Sequence, residues 1–355
     1  MSRRVVLEKR LELPFWPSIM RLALALAIGL WLGAVMLWLK GVPPWEAYGA
    51  MAQGAFGSVY GLSETLVKTT PLLLAGLGVG LAFRLGFWNI GGEGQLYIGA
   101  MGGTWLALGY PGLPAPLLQP LMLIVGFLAG AVWGFIPAML RAYWRVNEVI
   151  TTLVLNYVAI LWVDFLVYGP WKDPKVFGLP FAPPLSPAAR LPMLSGSRVH
   201  LGLVLGLLAA AGLALLLWRT RLGYEIRIIG LSPDVARYAG MSLGRTTLAT
   251  IALSGGLAAL AGVCEVAGVQ GQLKHGLSPG YGYTAIIVAW MGRLNPWGIV
   301  AVSLLLGGLL VGSEMLQIAM NVPIAVAYML QGLLLFSVLG LEWLDSYRLV
   351  WRHRR

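Results

Sequence analysis

The chain has 355 residues, of which 58% are hydrophobic and 11% charged, and its mean hydropathy is +0.78. Soluble domains carry about 25% charged residues, so this composition excludes an ordinary soluble globular protein. The net charge of +11 would suit a nucleic-acid binder if the basic residues shared one domain, but here they are spaced between long apolar stretches.

A bilayer core takes about 20 mostly apolar residues per spanning helix, and ten stretches approach that pattern, three of them short or interrupted. A basic N-terminal segment, residues 1–17, precedes the first, Ser18–Leu39. No small-x-small cleavage site follows that run, so it reads as a retained membrane helix and not as a signal peptide. The next four are Thr65–Phe83, Gly86–Leu108, Pro116–Leu140 and Glu148–Tyr168. A proline-rich loop, Gly169–His200, then leads to Leu201–Trp218, and the loop is expected either to meet a soluble partner or to be a disordered connector. The loop Arg219–Arg245 leads to Thr247–Gln270, Tyr281–Met291, Pro296–Met320 and Pro323–Leu344, so the membrane domain covers 18–344. A basic tail, 345–355, ends the chain.

Charge orients these spans. With both termini inside, only Lys40, Lys68, Lys172, Lys175, Arg190, Arg198 and Lys274 fall outside, while every other lysine and arginine falls inside. That is the positive-inside bias of a multi-pass protein with cytoplasmic termini. The expected fold class is all-α, a polytopic bundle of about ten spans. Spans two to five and seven to ten form two inverted-repeat-like blocks, each interrupted in its second member by glycine, at Gly86–Gly103 and Gly276–Gly292. Matching interruptions in two halves point to a binding site near the membrane midplane. Small residues four apart, such as Gly29 and Gly33, Gly76 and Gly80, the series Gly126, Gly130 and Gly134, Gly202 and Gly206, and Gly308 and Gly312, mark close helix contacts.

The inner loop carries its own stop and start signals. Ser232 suits an N-cap, Pro233 the first helical position, Asp234 the first turn, and Gly240 the left-handed residue that ends a helix. A short rigid helix at the membrane surface is expected there.

Polar residues inside apolar spans need partners. A carboxylate at the bilayer centre costs about 2.5 to 3.5 kcal/mol on insertion scales, so Glu93 must face the bundle interior. It either caps amides of a broken helix or lines a path with Asn89 and Gln95. Glu148 suits the start of its helix, and Asn156, two turns deeper, faces either a path or a neighbouring helix. Glu265, Gln270 and Glu314 read as helix contacts, Asp164 as an outer-boundary residue and Cys264 as a packing residue. The lone cysteine excludes internal disulfides and a cysteine metal cluster. His200, His275 and His353 are isolated, which gives no support to a histidine metal site or a histidine-assisted nucleophile. No G-x-x-x-x-G-K-[ST] phosphate loop occurs, so the chain does not bind ATP in that way.

Four ordered stretches, Phe83–Gln95, Asn147–Tyr157, Gly223–Gly240 and Gly280–Gly298, together resemble ABC-importer permeases of the branched-chain amino acid, ribose and nucleoside superfamily. The Asn-Ile-Gly-x-Glu-Gly-Gln motif of the nucleoside branch is matched by Asn89 to Gln95, and the resemblance runs from about Thr65 to Leu344. It implies a non-enzymatic half-transporter in the cell membrane, paired with an identical or paralogous permease. Two cytoplasmic ATPases would hold the ATP and Mg, with no cofactor on this chain, and an extracytoplasmic binding protein or lipoprotein would deliver solute. The capped helix then stands where relatives have the coupling helix, with Arg227, Ser232, Pro233, Asp234, Arg237 and Gly240 toward the ATPase. The path would use Trp88, Asn89, Glu93, Gln95, Asn156, Tyr283 and Thr284, with Trp88 and Tyr97 able to stack on a base. Thr284 stands where many members have an acid, which keeps a simple sugar open beside a nucleoside-like solute. A branched-chain amino acid, or a secondary transporter or channel using Glu93, Glu265 and Glu314, are the further alternatives.

Overall fold

A computed structural model describes residues 3–9, 15–176, 178–194, 197–323 and 325–353. Parts of both expected terminal segments, residues 1–2, 10–14 and 354–355, lie outside the described residues. In chain order the elements are β1 (Arg3–Lys9), α1 (Phe15–Leu39), α2 (Pro44–Phe56), α3 (Val59–Arg84), α4 (Gly92–Gly109), α5 (Ala115–Trp144) and α6 (Glu148–Tyr168). Then follow α7 (Gly202–Arg219), α8 (Arg221–Leu231), α9 (Pro233–Tyr238), α10 (Leu243–Glu265) with a π-helical turn at Val266–Gln270, α11 (Tyr281–Met291), α12 (Pro296–Met320), α13 (Ala325–Ser346) and β2 (Tyr347–His353).

The chain divides into two compact units, residues 1–55 with 309–355, and residues 56–308. In the first, Leu37, Ala47, Met51, Leu316, Val322, Val326 and Leu330 form a core between α1, α2, α13 and the end of α12. Strands β1 and β2 pair antiparallel, Arg3 opposite His353 and Lys9 opposite Tyr347. Apart from this terminal ribbon the fold is helical, as expected; both strand segments carry valine, and β2 adds tyrosine and tryptophan, residues that favour extended pairing. The two described ends therefore lie together.

The second unit is built around α3 and α10, most of whose residues are buried. Helices α5, α6 and α7 surround them and expose large apolar side chains, among them Leu128, Val132, Tyr157, Leu161 and Leu208. Such faces suit lipid and would be a liability in water. The α5–α10 contact follows the expected glycine series. A methyl at Gly130 would collide with the Ala259 side chain and the Gly255 carbonyl, and Gly126 packs in the same way on Val263. Close backbone approach of this kind is how helices associate in lipid.

Among the described residues six helices are long and apolar enough to cross a membrane: α3, α5, α6, α7, α10 with its π turn, and α12. The pair Ala23–Leu39 and Pro44–Phe56, bent by 115°, brings the number to seven if counted as one span. Helices also occupy the other expected ranges, but α11 and the apolar part of α13, Tyr328–Leu341, are short, and α4 does not meet the same measure. Helix α4 begins at Gly92 because residues 85–91 form a bend and not a helical turn.

The described residues of the loop 169–200 pack on one end of the second unit. The Ala182 and Leu185 amides donate to the carbonyls of Leu273 and Gly271, both at 2.8 Å, and the Leu191 amide donates to Ala267 at 2.9 Å. Ala182, Leu185, Ala189 and Leu191 are buried, so the segment is not a disordered connector. Helices α8 and α9 lie at the opposite end, beside the bend after α3, where Gly230 packs directly on the Arg84 carbonyl. Within the second unit, the loops 169–200 and 271–275 thus lie at one end of α3, and α8 and α9 at the other.

Candidate functional site

The two interrupted elements meet. Gly92 and Glu93, at the start of α4, lie against Gly282 in the first turn of α11, so closely that a side chain at Gly282 would strike the Glu93 backbone. Gly280 adopts φ +98°, a left-handed conformation that turns the chain into α11 at little cost only for glycine. The Gly282 amide donates to Glu93 Oε2 at 2.6 Å, and the Ser278 side chain and Gly280 backbone also hydrogen-bond to this carboxylate. Ser278 Oγ in turn accepts the Gly280 and Tyr281 amides at 3.1 and 2.9 Å. A negative group among the free amides of a helix N-terminus satisfies donors that would otherwise be orphaned, and complements the helix dipole. Glu93 therefore caps, on a different helix from its own.

A second layer of polar residues holds the bend. Asn89 and Gln95 exchange amide hydrogen bonds: Asn89 Nδ2 donates to Gln95 Oε1 at 3.1 Å, and Gln95 Nε2 donates to Asn89 Oδ1 at 3.2 Å. Asn89 also accepts the Gly91 amide at 3.0 Å and donates to Ser254 Oγ at 3.1 Å, and Ser254 donates to the Gly78 carbonyl at 2.7 Å. From α6, Asn156 Oδ1 accepts the Gly94 amide at 2.8 Å, while its Nδ2 donates to the Ile90 carbonyl at 2.8 Å and to the Tyr283 hydroxyl at 3.4 Å. Thr152 accepts the Ile90 amide at 3.2 Å. Asn89, Glu93, Gln95 and Asn156 are all buried. Unwound backbone at membrane depth requires partners, and these side chains supply them.

Of the path residues expected from sequence, Asn89, Glu93, Gln95, Asn156 and Tyr283 are thus brought into one network, and Thr284 is buried in the first turn of α11. Trp88 is different: it is 48% exposed and packs at a tilt against Phe83 and Trp290, ring centroids 5.3 and 5.7 Å away. Phe83 and Trp290 complete the triangle at 5.8 Å. Thr152 and Trp290, within the stretches Asn147–Tyr157 and Gly280–Gly298 but not singled out there, join the site with Ser254 and Ser278, which lie outside any such stretch; only the glycines after Ser254 hint at a close backbone there. Tyr97, the other suggested stacking residue, is buried and its hydroxyl accepts the Ser278 amide at 3.4 Å.

At the end bearing α9 the local signals are realised. Ser232 Oγ accepts the Val235 amide at 3.5 Å, Pro233 opens the helix, Asp234 and Arg237 pair at 3.2 Å, and Gly240 takes φ +74°. Arg227 lies exposed on α8, and Leu231, Val235 and Tyr238 expose a patch of large apolar side chains, with Tyr238 96% accessible. Helix α8 is an addition to the expected elements; Thr220 caps it by accepting the Gly223 amide at 3.2 Å.

Among the described residues no cluster of His, Cys, Asp or Glu has the geometry of a metal site. Glu265 is tied to Gln270, which donates to it at 2.9 Å and to the Leu277 carbonyl at 2.7 Å. Asp164 meets His275 Nδ1 at 2.8 Å beside the packed loop, at the end where the outer boundary is expected.

Apolar helices around two interrupted elements, whose N-termini are locked together by buried polar side chains, define a membrane-embedded transport subunit. The chain matches the family described as branched-chain amino acid transport system / permease component over residues 61–339, and it belongs to that family. It is similar to the glucose ABC transporter permease protein of Haloferax volcanii, 37% identical over 98% of this chain and 94% of the relative. It is also similar to the guanosine ABC transporter permease protein of Bacillus subtilis, 34% identical over 84% of this chain and 87% of the relative. A nucleoside ABC transporter permease protein of Lactococcus lactis is 32% identical over 82% of each chain. No solved structure matches the chain. The protein is a multi-pass permease subunit of an ATP-binding-cassette transporter.

Proposed function

We propose that the chain is one half of an ATP-driven importer for a nucleoside-like polar solute, with a second permease, identical or paralogous, completing the pathway. The observation that carries the energy-coupling part is α9, a capped helix with exposed Leu231, Val235 and Tyr238 beside the Asp234–Arg237 pair. An apolar patch with a charged rim on a rigid short helix suits a groove on a partner protein. In this reading a cytoplasmic ATPase, holding ATP and Mg, engages α9 and moves it. Arg227, Ser232, Pro233, Asp234, Arg237 and Gly240 shape that contact.

Solute enters from an extracytoplasmic binding protein. The buried set Asn89, Glu93, Gln95 and Asn156 forms the frame of the path, with Thr284 and Tyr283 in the first turn of α11; the half-exposed Trp88, packed against Trp290, offers the surface on which a planar ring stacks. The guanosine and nucleoside permeases among the relatives support this cargo. A simple sugar is the second reading, favoured by the 37% identity to the glucose permease and by the stacking of sugar rings on tryptophan faces.

The topology proposed has ten spans, with α4, α11 and α13 completing those that cross by length alone. Strands paired at the two ends put those ends on one side and require an even number of crossings, which ten and six satisfy and seven does not; ten is preferred because helices also occupy the remaining apolar ranges. Both termini are placed in the cytoplasm by the positive-inside bias, with segments 1–17 and 345–355 flanking the membrane domain 18–344. Two inverted blocks, α3 to α6 and α10 to α13, agree with the meeting of one interrupted helix from each, α4 and α11.

Copurification tests the coupling role. The wild-type chain is expected to bring down its ATPase, and Val235→Asp, at an exposed position, is expected to lose the ATPase while retaining its own thermal stability. Equal recovery of the ATPase with both forms would contradict the assignment of α9.

A further inference from the structure

Beside α9 a cavity of about 380 Å³ opens between the bend after α3, the end of α5, the α8–α9 junction and the start of α10. Arg141, Arg145 and Arg237 line it together with Phe87, Ile229 and Leu243. Two of the arginines are engaged. Arg141 pairs with Glu148 at 2.5 Å, donates to the Gly86 carbonyl at 3.1 Å and lies over the Phe87 ring, while Arg237 pairs with Asp234. The Arg145 guanidinium has no hydrogen-bond or ion-pair partner among the described residues. The cavity lining includes no acidic side chain, and the first turn of α10, which contributes Leu243 and Gly244, holds none either. A surplus positive charge faces the space.

The neighbouring residues set its depth. Tyr143 and Trp144, immediately before Arg145, are 67% and 62% exposed. Exposed tyrosine and tryptophan at a helix end mark the level of lipid headgroups. Leu85, Phe87, Ile229 and Leu243 make the wall apolar beside the arginines, as a headgroup with its glycerol stem requires, and basic pockets between membrane helices are the usual seat of anionic headgroups.

We propose that this cavity binds the phosphate group of an anionic phospholipid, held chiefly by Arg145, and that the bound headgroup pins α9 to the bend at Leu85–Phe87. The site is independent of which solute is carried. Its consequence is that the link between the α9 helix and the interrupted α4 depends on lipid composition.

The full chain in nanodiscs of phosphatidylcholine containing phosphatidylglycerol, followed by native mass spectrometry in detergent, reads the retained lipid. Arg145 has φ +56°, so the neutral variant of choice is Arg145→Asn, which tolerates that conformation. Loss of one interfacial charge is expected to reduce phosphatidylglycerol retention about fivefold. Arg145→Lys should keep most of it, and Arg219→Ala, an exposed arginine at the same end but outside the cavity, should change nothing. Equal retention by wild type and Arg145→Asn would overturn the proposal, and so would an equal loss with Arg219→Ala. Millimolar inorganic phosphate is the second arm. If it stabilises the chain through Arg145 in phosphatidylcholine-only discs while no phosphatidylglycerol is retained, the site takes free phosphate and the lipid assignment is wrong.

Discussion

The carboxylate of Glu93 accepts the backbone amide of Gly282 at 2.6 Å across 189 residues of sequence. One bond therefore joins the two interrupted helices of the permease, and its loss should be felt at both. Glu93→Ala removes the acceptor and leaves buried amides unsatisfied, a loss of about 1 to 3 kcal/mol. Thermal unfolding should show that loss together with reduced uptake. Glu93→Gln keeps an acceptor oxygen and should be milder. A purely capping role for Glu93 predicts that uptake by Glu93→Gln keeps the wild-type pH profile; a shifted profile would favour a proton-coupled transporter.

The reciprocal amide pair of Asn89 and Gln95 predicts strong coupling. A double-mutant cycle with Asn89→Ala and Gln95→Ala should give an interaction energy of about 0.5 to 3 kcal/mol, measured by thermal unfolding in detergent. Additive losses would mean that the two side chains act separately.

Helix contact in lipid depends on which glycine is altered. At Gly130 an added methyl meets the Gly255 carbonyl and Ala259, so Gly130→Ala should destabilise by about 1 to 3 kcal/mol. At Gly212 nothing lies within 4 Å, and Gly212→Ala should be neutral or stabilising by up to about 1 kcal/mol through helix propensity. The folded fraction recovered after heating distinguishes the two.

His200 links the packed loop to α7. Its Nδ1 accepts the Gly202 amide at 3.1 Å, its Nε2 is buried without a hydrogen-bond partner, and it lies against Gly268. Burial pushes its pKa down from 6.5 to about 4. The neutral form is thus favoured in the folded state, so its stabilising contribution is complete above pH 6.5 and is lost as pH falls toward 4. Each pH unit in that window is worth about 1.4 kcal/mol, which sets the loss at up to about 3 kcal/mol. His200→Gln should flatten the acid side of the stability profile; an unchanged slope would assign it to other groups.

What can be read from sequence is local. The spans Glu148–Tyr168, Tyr281–Met291 and Pro296–Met320 match α6, α11 and α12, because Asn147 caps the first, Gly280 turns into the second and Asn295 precedes a proline start in the third. The same holds for α9, whose serine, proline and glycine signals act within a few residues. The partners are not legible. Nothing near Glu93 names Gly282, and nothing near Trp88 names Trp290, since both contacts depend on where distant helices pack. Helix α2 escapes a search for apolar runs because its tyrosine and glutamate interrupt the pattern, although Pro44 and Glu46 suit a helix start. The proline-rich loop looks unstructured by composition, yet its backbone donors find carbonyls in the segment after α10, a match that no periodicity encodes.

The most direct test of ATP-driven import by this permease is uptake of labelled guanosine into vesicles containing the chain with its partner permease, ATPase and binding protein. Uptake is expected to require ATP and to be abolished by Val235→Asp on α9. Uptake by the chain alone, driven by an ion gradient without ATP, would contradict the assignment.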